Sequence, residues 1–372
     1  MSNETNINVI NLKCEYRENP IGIDIIKPRF SWQIQADKRA VIQSAYQIQV
    51  ALDESFKDII WDTEKVNSNQ SIHVEYKGCE LESRTRYYYR VRIWDNDDNL
   101  SSWSDSAYWE MGILDTDEWK AEWITHDLDR ETEKYPPCPI LRKSFQTDKE
   151  VKSARIYVTS LGLYYLKLNG KKVGDYYFTP GWTSYNNRLQ YQTYDVTELI
   201  AKGDNAVGAY VGDGWYKGEL AWEDAKNHFG DRLGLLFQME ITYEDGKKDI
   251  ITSDTDWKSS FSAIRMSEIY HGETYDARLE EDWSAADFED SGWSGVKTLD
   301  FAKDKILAQE NECVKKIEEI EPVELIETPA GETVIDMGQN LVGWMKFAVK
   351  GNKGDKVILK HAEVLDKEGN FY

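Results

Sequence analysis

Cysteine is scarce in this 372-residue chain: Cys14, Cys79, Cys138 and Cys313 stand far apart, with no CxxC pair among them. That spacing excludes a structural zinc site and a disulfide framework. Scattered thiols in a chain this long fit a reducing compartment, so a cytoplasmic protein is expected. Positive charge is also in deficit, with 45 Lys and Arg against 67 Asp and Glu and a formal net charge of −22. A surface this acidic repels nucleic acid and anionic membrane, so neither is expected as a partner. No apolar run approaches the ~20 residues that span a bilayer. Residues 1–6 carry neither a basic nor an apolar signal segment, so no signal peptide is expected. Helical periodicity is confined to short turns at 196–201 and 285–292. A P-loop, a dinucleotide fingerprint and a Ser-His-Asp grouping are all missing; Gly212-Asp213-Gly214 lacks the third glycine and the strand–helix context.

What is present is alternation. Hydrophobic residues make up 41% and aromatics 13% of the chain, enough to fill sizeable cores. The richest stretch is 155–245. It opens with Arg155-Ile156-Tyr157-Val158-Thr159 and Leu163-Tyr164-Tyr165-Leu166-Lys167-Leu168, period-two patterns of half-buried strands. Asn169-Gly170 between two apolar runs predicts a tight hairpin, because both central residues need positive φ. Aromatic and turn-forming residues then recur at Pro180-Gly181-Trp182-Thr183-Ser184-Tyr185 and Gly212-Asp213-Gly214-Trp215-Tyr216. Gly203-Asp204-Asn205 reads as a turn that starts a strand.

These patterns predict an all-β chain of tandem β-sandwiches. Residues 7–112 hold about seven short strands, among them 30–34, 46–50 and 87–94, as in an immunoglobulin or fibronectin type III-like sandwich. Trp32 and Trp94 are expected to form a pair in its core. Residues 113–140 form a connector; its Pro136-Pro137-Cys138-Pro139 cannot lie inside a central strand. Residues 141–325 form a jelly roll. Residues 326–372 begin a third sandwich through alternating segments at 333–338, 344–350 and 356–361. Three strands cannot close a sandwich, so this last part is expected to be incomplete.

At this point the motifs resemble the N-terminal part of bacterial α-L-rhamnosidases, the inverting glycoside hydrolases of family 78. The first module carries Asn19-Pro20-Ile21-Gly22-Ile23-Asp24 and Pro28-Arg29-Phe30-Ser31-Trp32. The second carries Leu168-Asn169-Gly170, the Trp182 and Trp215 segments, Tyr194-Asp195-Val196-Thr197 and Gly272-Glu273-Thr274-Tyr275-Asp276-Ala277-Arg278. The third carries Asp336-Met337-Gly338-Gln339-Asn340 and His361-Ala362-Glu363. The resemblance implies a parent enzyme whose catalytic acid and base stand on a helical barrel further along the sequence. No such barrel lies within these residues, so no catalytic residue is carried over and the chain is expected to be inactive alone. The implied partners are L-rhamnose or rhamnosides and that catalytic domain. A fibronectin-like and jelly-roll adhesion or scaffold protein is the rival reading.

In some members of the family the jelly roll binds rhamnose with calcium. Candidate sugar-binding residues here are Trp182, Tyr185, Asn187, Arg188, Asp213, Trp215 and Asn227. An aromatic face suits the apolar side of a sugar ring, while Asp, Asn and Arg suit its hydroxyls. No cofactor is required, but calcium could accept carboxylate oxygens and vicinal hydroxyls together; no metal ligands are assigned. The competing reading makes Trp182 and Trp215 core residues and the glycines turn formers. Glu273, Asp276 and Arg278 could line a cleft that reaches the catalytic domain; the competing reading is a buried ion pair or a solvated loop. His228 and His271 lack ligand spacing.

Overall fold

The structure, a computed structural model, describes residues 6–129, 135–220 and 225–372. Two compact units divide the chain, Met1–Val314 and Lys315–Tyr372.

The first sandwich holds β1 (Ile7–Cys14), β2 (Ile21–Ile23), β3 (Arg29–Ala36), β4 (Gln43–Ala51), β5 (Ile59–Asp62), β6 (Val74–Glu75), β7 (Arg86–Asp95) and β8 (Ala107–Met111). One sheet runs β1-β3-β6 and the other β2-β8-β7-β4-β5. In β7 the alternation is strict: Tyr87, Tyr89, Val91 and Ile93 point into the core. Trp109, fully buried, stacks on Tyr87 at 5.1 Å, and Phe30 stacks on Tyr89 at 4.6 Å. Trp32 is buried and donates its indole N–H to Gln43 at 2.9 Å. Trp94 does not join it. The register of β7 puts Trp94 on the opposite face, where Lys65 lies 4.6 Å above its ring. On that face Arg90 and Arg92 each sit 4.5 Å from the ring of Trp103, a cation–π ladder on the outer surface.

The second sandwich begins in the connector. Its strands are β9 (Ile124–His126), β10 (Pro139–Thr147), β11 (Val151–Leu161), β12 (Leu163–Leu168), β13 (Lys171–Lys172), β14 (Tyr176–Tyr177), β15 (Leu189–Asp195) and β16 (Gly203–Gly212). After the short helix α1 (Gly214–Lys217) come β17 (Gly234–Tyr243), β18 (Lys248–Thr252), β19 (Lys258–Phe261), β20 (Ile264–Glu268), β21 (Gly272–Tyr275), β22 (Ser294–Thr298), β23 (Ile306–Ala308) and β24 (Val314–Lys315). One strand path, β13-β12-β16-β10-β19-β22-β9-β17-β11-β15-β23, folds so that its halves face each other. Leu166, Leu168, Val207 and Ala209 from one half meet Ile156, Val158, Phe237 and Met239 from the other. Asn169 and Gly170 both have positive φ, 49° and 79°, as the β12–β13 hairpin demands. Pro139 opens β10, at a strand's first residue where a missing N–H is tolerated. The 285–292 segment forms turns rather than a helix, and a short 3-10 turn spans Thr197–Leu199. Asn205 does more than start a strand: it is fully buried, accepts from Ala201 N–H at 2.8 Å and from Asn169 at 2.7 Å, and donates to Ala201 O at 2.8 Å.

The two sandwiches are joined by buried polar contacts. Glu110, 5% exposed, takes Arg86 at 2.9 Å from its own module and Arg155 at 2.7 Å from the next. Arg84 reaches Glu240 at 2.6 Å and also pairs with Glu118. The Ile113 N–H donates to Tyr191 Oη at 2.9 Å, and the Ala308 N–H to Asp24 at 2.7 Å. Gly22, at φ 73°, lies so close to Thr193 that a Cβ would fall 1.9 Å from its hydroxyl oxygen. Trp119 and Trp123 of the connector are buried against Tyr157 and Tyr191. Removing Glu110 leaves Arg86 without its carboxylate and Arg155 with Asp195 alone. Glu110→Ala should therefore cost about 3 kcal/mol of stability, read as a lower urea midpoint; a loss under about 0.5 kcal/mol, the usual surface value, would show that the seam is only a contact.

In the second unit β25 (Glu324–Glu327) pairs antiparallel with β26 (Thr333–Asp336). The expected strands at 344–350 and 356–361 are not formed. Their alternating residues find no neighbouring strand to bond, and an unpaired strand is unstable in water.

Candidate functional site

The rim of the second sandwich near α1 gathers the aromatic candidates. Trp182, 54% exposed, stacks on Trp215 with centroids 5.8 Å apart and planes 8° from parallel. Phe178, half exposed in left-handed backbone, closes the group at 6.0 Å from Trp215. Trp215 is half-buried, because its other side packs on the cluster of Tyr185, Tyr216 and Phe229. The result is an aromatic stack whose outer ring, Trp182, is open to solvent.

The other candidates hold this platform in place. Tyr185 is 3% exposed, donates its hydroxyl to Gly181 O at 2.8 Å and meets Phe229 edge-on at 4.9 Å. It is a post beneath the loop, not a surface ring. The N–H groups of Asn187 and Arg188 donate to Ser184 O at 2.7 and 2.9 Å, shaping the turn. Arg188, 56% exposed, stands 3.7 Å from Glu310. Asp213 is buried just before α1, with Lys217 Nζ 3.9 Å away. Asn227 is exposed at φ 59° and its N–H donates to Lys217 O at 2.9 Å, tying its loop to α1.

Sequence reasoning passed over Phe178 and a polar group that follows α1. Glu219 is 5% exposed. His271 Nε2 lies 2.6 Å from its Oε2, Tyr135 donates to its Oε1 at 3.0 Å, and Lys226 stands 3.4 Å away. The hydrogen bond from His271, helped by those from Tyr135 and Lys226, holds the Glu219 carboxyl down at about 2 against burial, which raises it. The Glu219 N–H donates to Glu268 Oε1 at 2.8 Å, which docks the β20–β21 hairpin on α1. Glu219 and His271 are 52 residues apart; no local pattern joins them. Asp276 and Arg278 pair at 2.5 Å, with Arg278 88% exposed, and Asp276 caps the 3-10 turn at Ala277–Leu279. Glu273 is exposed on β21. Among the described residues no three His, Cys, Asp or Glu side chains converge as metal ligands.

Fold and rim together define a tandem β-sandwich protein whose second module carries an exposed aromatic platform. Three family models match in order: a Rha78A-like N-terminal immunoglobulin domain at 9–115, an α-L-rhamnosidase N-terminal domain at 149–318, and a bacterial α-L-rhamnosidase concanavalin-like domain at 326–372. The chain belongs to the α-L-rhamnosidase family, to the N-terminal region of its members. It is 34% identical to an α-L-rhamnosidase of Formosa agariphila over 98% of this chain and 41% of that protein. It is 37% identical to one of Alteromonas sp. over 95% of this chain and 40% of that protein. The crystal structure of Streptomyces avermitilis α-L-rhamnosidase complexed with L-rhamnose matches with TM-score 0.89 and 27% identity, over 98% of this chain and 52% of that one. That of the Aspergillus terreus enzyme matches with TM-score 0.86 and 37% identity, over 94% and 40%. The chain thus spans about two fifths of the length of the first curated relatives it matches. No helix among the described residues is long and apolar enough to cross a membrane.

Proposed function

We propose that this chain is the non-catalytic N-terminal region of an α-L-rhamnosidase that removes terminal α-L-rhamnose from glycosides, and that the rim of its second sandwich binds carbohydrate. The observation that carries the binding reading is the parallel Trp182–Trp215 stack, left open to water on a module whose other large aromatics are mostly buried. An exposed aromatic patch marks an interaction surface, and a pyranose ring offers an apolar face of the right shape to cover Trp182. The Streptomyces alignment takes 537 residues to match 98% of this chain, so that relative holds a large insertion with no counterpart here; where its rhamnose sits is not carried over.

Calcium takes about six to eight oxygen ligands. Among the described residues no three His, Cys, Asp or Glu side chains come together, and the exposed stack itself supplies no carboxylate. Binding is proposed to rest on stacking and side-chain hydrogen bonds.

Titration calorimetry with L-rhamnose should give a dissociation constant on the order of 0.1–1 mM, the range a lone monosaccharide reaches with few contacts, and a chelator should not change it. Trp182→Ala, at an exposed position, should weaken binding at least about tenfold, or ~1.4 kcal/mol, with the melting temperature kept. Trp215→Ala should do the same, with some loss of stability from its packed side. No heat at millimolar sugar would sink the binding reading. The buried charge seam at Glu110 would then favour a second reading, in which the two sandwiches act as a rigid brace for the catalytic domain.

A further inference from the structure

We propose that Tyr185 is the positioning residue of the sugar platform: its hydroxyl fixes the turn that carries Trp182, so that the two indoles are stacked before any ligand arrives. This inference rests on the carbohydrate reading of the platform and gives Tyr185 a role in it without sugar contact.

The turn is Phe178-Thr179-Pro180-Gly181, closed by the Gly181 N–H donating to Phe178 O at 2.8 Å. Its middle, Thr179 and Pro180, is buried, whereas Phe178 is 50% exposed and Trp182, just past the turn, 54%. The other carbonyls each take a donor from outside the turn. The Tyr164 N–H on β12 donates to Thr179 O at 2.9 Å, and the Thr179 hydroxyl returns a bond to Tyr164 O at 3.1 Å. Gln192 on β15, 1% exposed, donates to Pro180 O at 3.3 Å. Tyr185 donates to Gly181 O at 2.8 Å. Four successive carbonyls are thus held in place, and an aromatic side chain stands exposed at either end.

Tyr185 also touches the other half of the platform. Its ring meets Tyr216 of α1 edge-on at 5.5 Å and Phe229 at 4.9 Å, within the cluster on which Trp215 packs. One side chain therefore fixes Trp182 through a hydrogen bond and Trp215 through packing. Burial pushes the Tyr185 hydroxyl pKa up, so it stays a protonated donor. Gly181 is a second constraint on the same turn. Its φ of 93° lies where glycine is favoured, yet a Cβ there would meet nothing within 4 Å. The backbone angle, not crowding, demands glycine. A loose aromatic loop has to be ordered by its ligand, and that cost is subtracted from the affinity. A monosaccharide makes few contacts, so a loop ordered beforehand matters most for a ligand of this size.

The test uses Tyr185→Phe, which keeps the ring and deletes its bond, and Gly181→Ala, which strains the same turn without entering the core. Two stacked indoles couple their transitions, so the pair gives a couplet in far-ultraviolet circular dichroism that Trp182→Ala abolishes. In the full chain both variants should shrink that couplet before ligand is added, and saturating L-rhamnose should restore it. Calorimetry should show L-rhamnose bound at least about threefold more weakly by each, the effect of one lost hydrogen bond. A tyrosine that only supports the fold would lower the melting temperature and leave couplet and affinity alone. Folded variants that bind L-rhamnose as tightly as the parent chain would overturn the role of Tyr185 and leave the carbohydrate reading standing. A parent chain that binds no sugar would overturn both.

Discussion

Replacing Asp290 with alanine should destabilise the second sandwich by about 3–5 kcal/mol, the largest cost expected of any single substitution here. The reason is Arg142, which has no exposed surface. Its guanidinium donates to Trp283 O at 2.7 Å, to Ala285 O at 2.9 Å and to Ser144 Oγ at 2.8 Å, and it pairs with Asp290. Burial pushes the Arg142 pKa down, and the Asp290 charge opposes that shift. Asp290 also takes Lys258 at 2.6 Å. Taking the carboxylate away leaves one cation buried without a counter-charge and a second without its partner. The carbonyl bonds survive, but they cannot neutralise a unit charge in a poorly polarisable interior. Urea denaturation should show a lower midpoint at unchanged slope. The double variant Arg142→Met with Asp290→Ala should recover much of the loss, because an apolar pair of similar volume carries no desolvation penalty. A single-variant loss below about 1 kcal/mol would show that solvent reaches Arg142 after all.

Arg142 also marks a limit of pattern reading. Leu141 and Phe145 of β10 face the main core, so alternation places Arg142 on the opposite face, and nothing local says that Trp283 and Asp290 cover it there from more than 140 residues away. Where local chemistry decides, the sequence was enough. Asn169-Gly170 specifies its turn through positive φ, and β7 declares its buried face through period two. Trp94 was misplaced because residue type was weighed over register: every second residue from Tyr87 goes inward, and Trp94 is not among them. The three-residue β9 pairs through only a few bonds, too few to leave a pattern, yet it links the two halves of the second sandwich.

The candidate site divides along the same line. Trp182 and Trp215 could be named from their turn-rich surroundings, and the structure stacks them. Tyr185 shares those surroundings but is buried, because its position in the loop turns it toward Phe229. Phe178 gave no signal; its exposure follows from a left-handed backbone that few non-glycine residues adopt. His271 looked solitary because its partners, Glu219 and Tyr135, come from other loops.

Amides across 340–364 should exchange at close to unprotected rates, while those of β11 and β17 should be slowed at least a thousandfold, a gap of about 4 kcal/mol in opening free energy. In the second unit only the four-residue β25–β26 hairpin and an isolated Leu365–Phe371 bridge carry ladder bonds. Between them Val342, Phe347, Val349 and Ile358 are each more than half exposed. Those side chains alternate as a buried sheet requires, and the match to a concanavalin-like domain over 326–372 says what kind of sheet they suit. In this chain the pattern has no neighbouring strand to satisfy it, so each amide bonds to water and each apolar side chain gains nothing from being extended. β11 is the opposite case: it is paired on both edges, by β15 and β17, and six consecutive residues at its C-terminal end are buried. Its amides open only when the whole sandwich opens. The hairpin should fall between the two, since a lone pair of strands is marginal in water. Exchange followed by mass spectrometry separates these cases directly. Protection across 344–350 and 356–361 matching that of β11 would mean that the alternation has found partners within this chain, and the second unit would then be a closed sandwich.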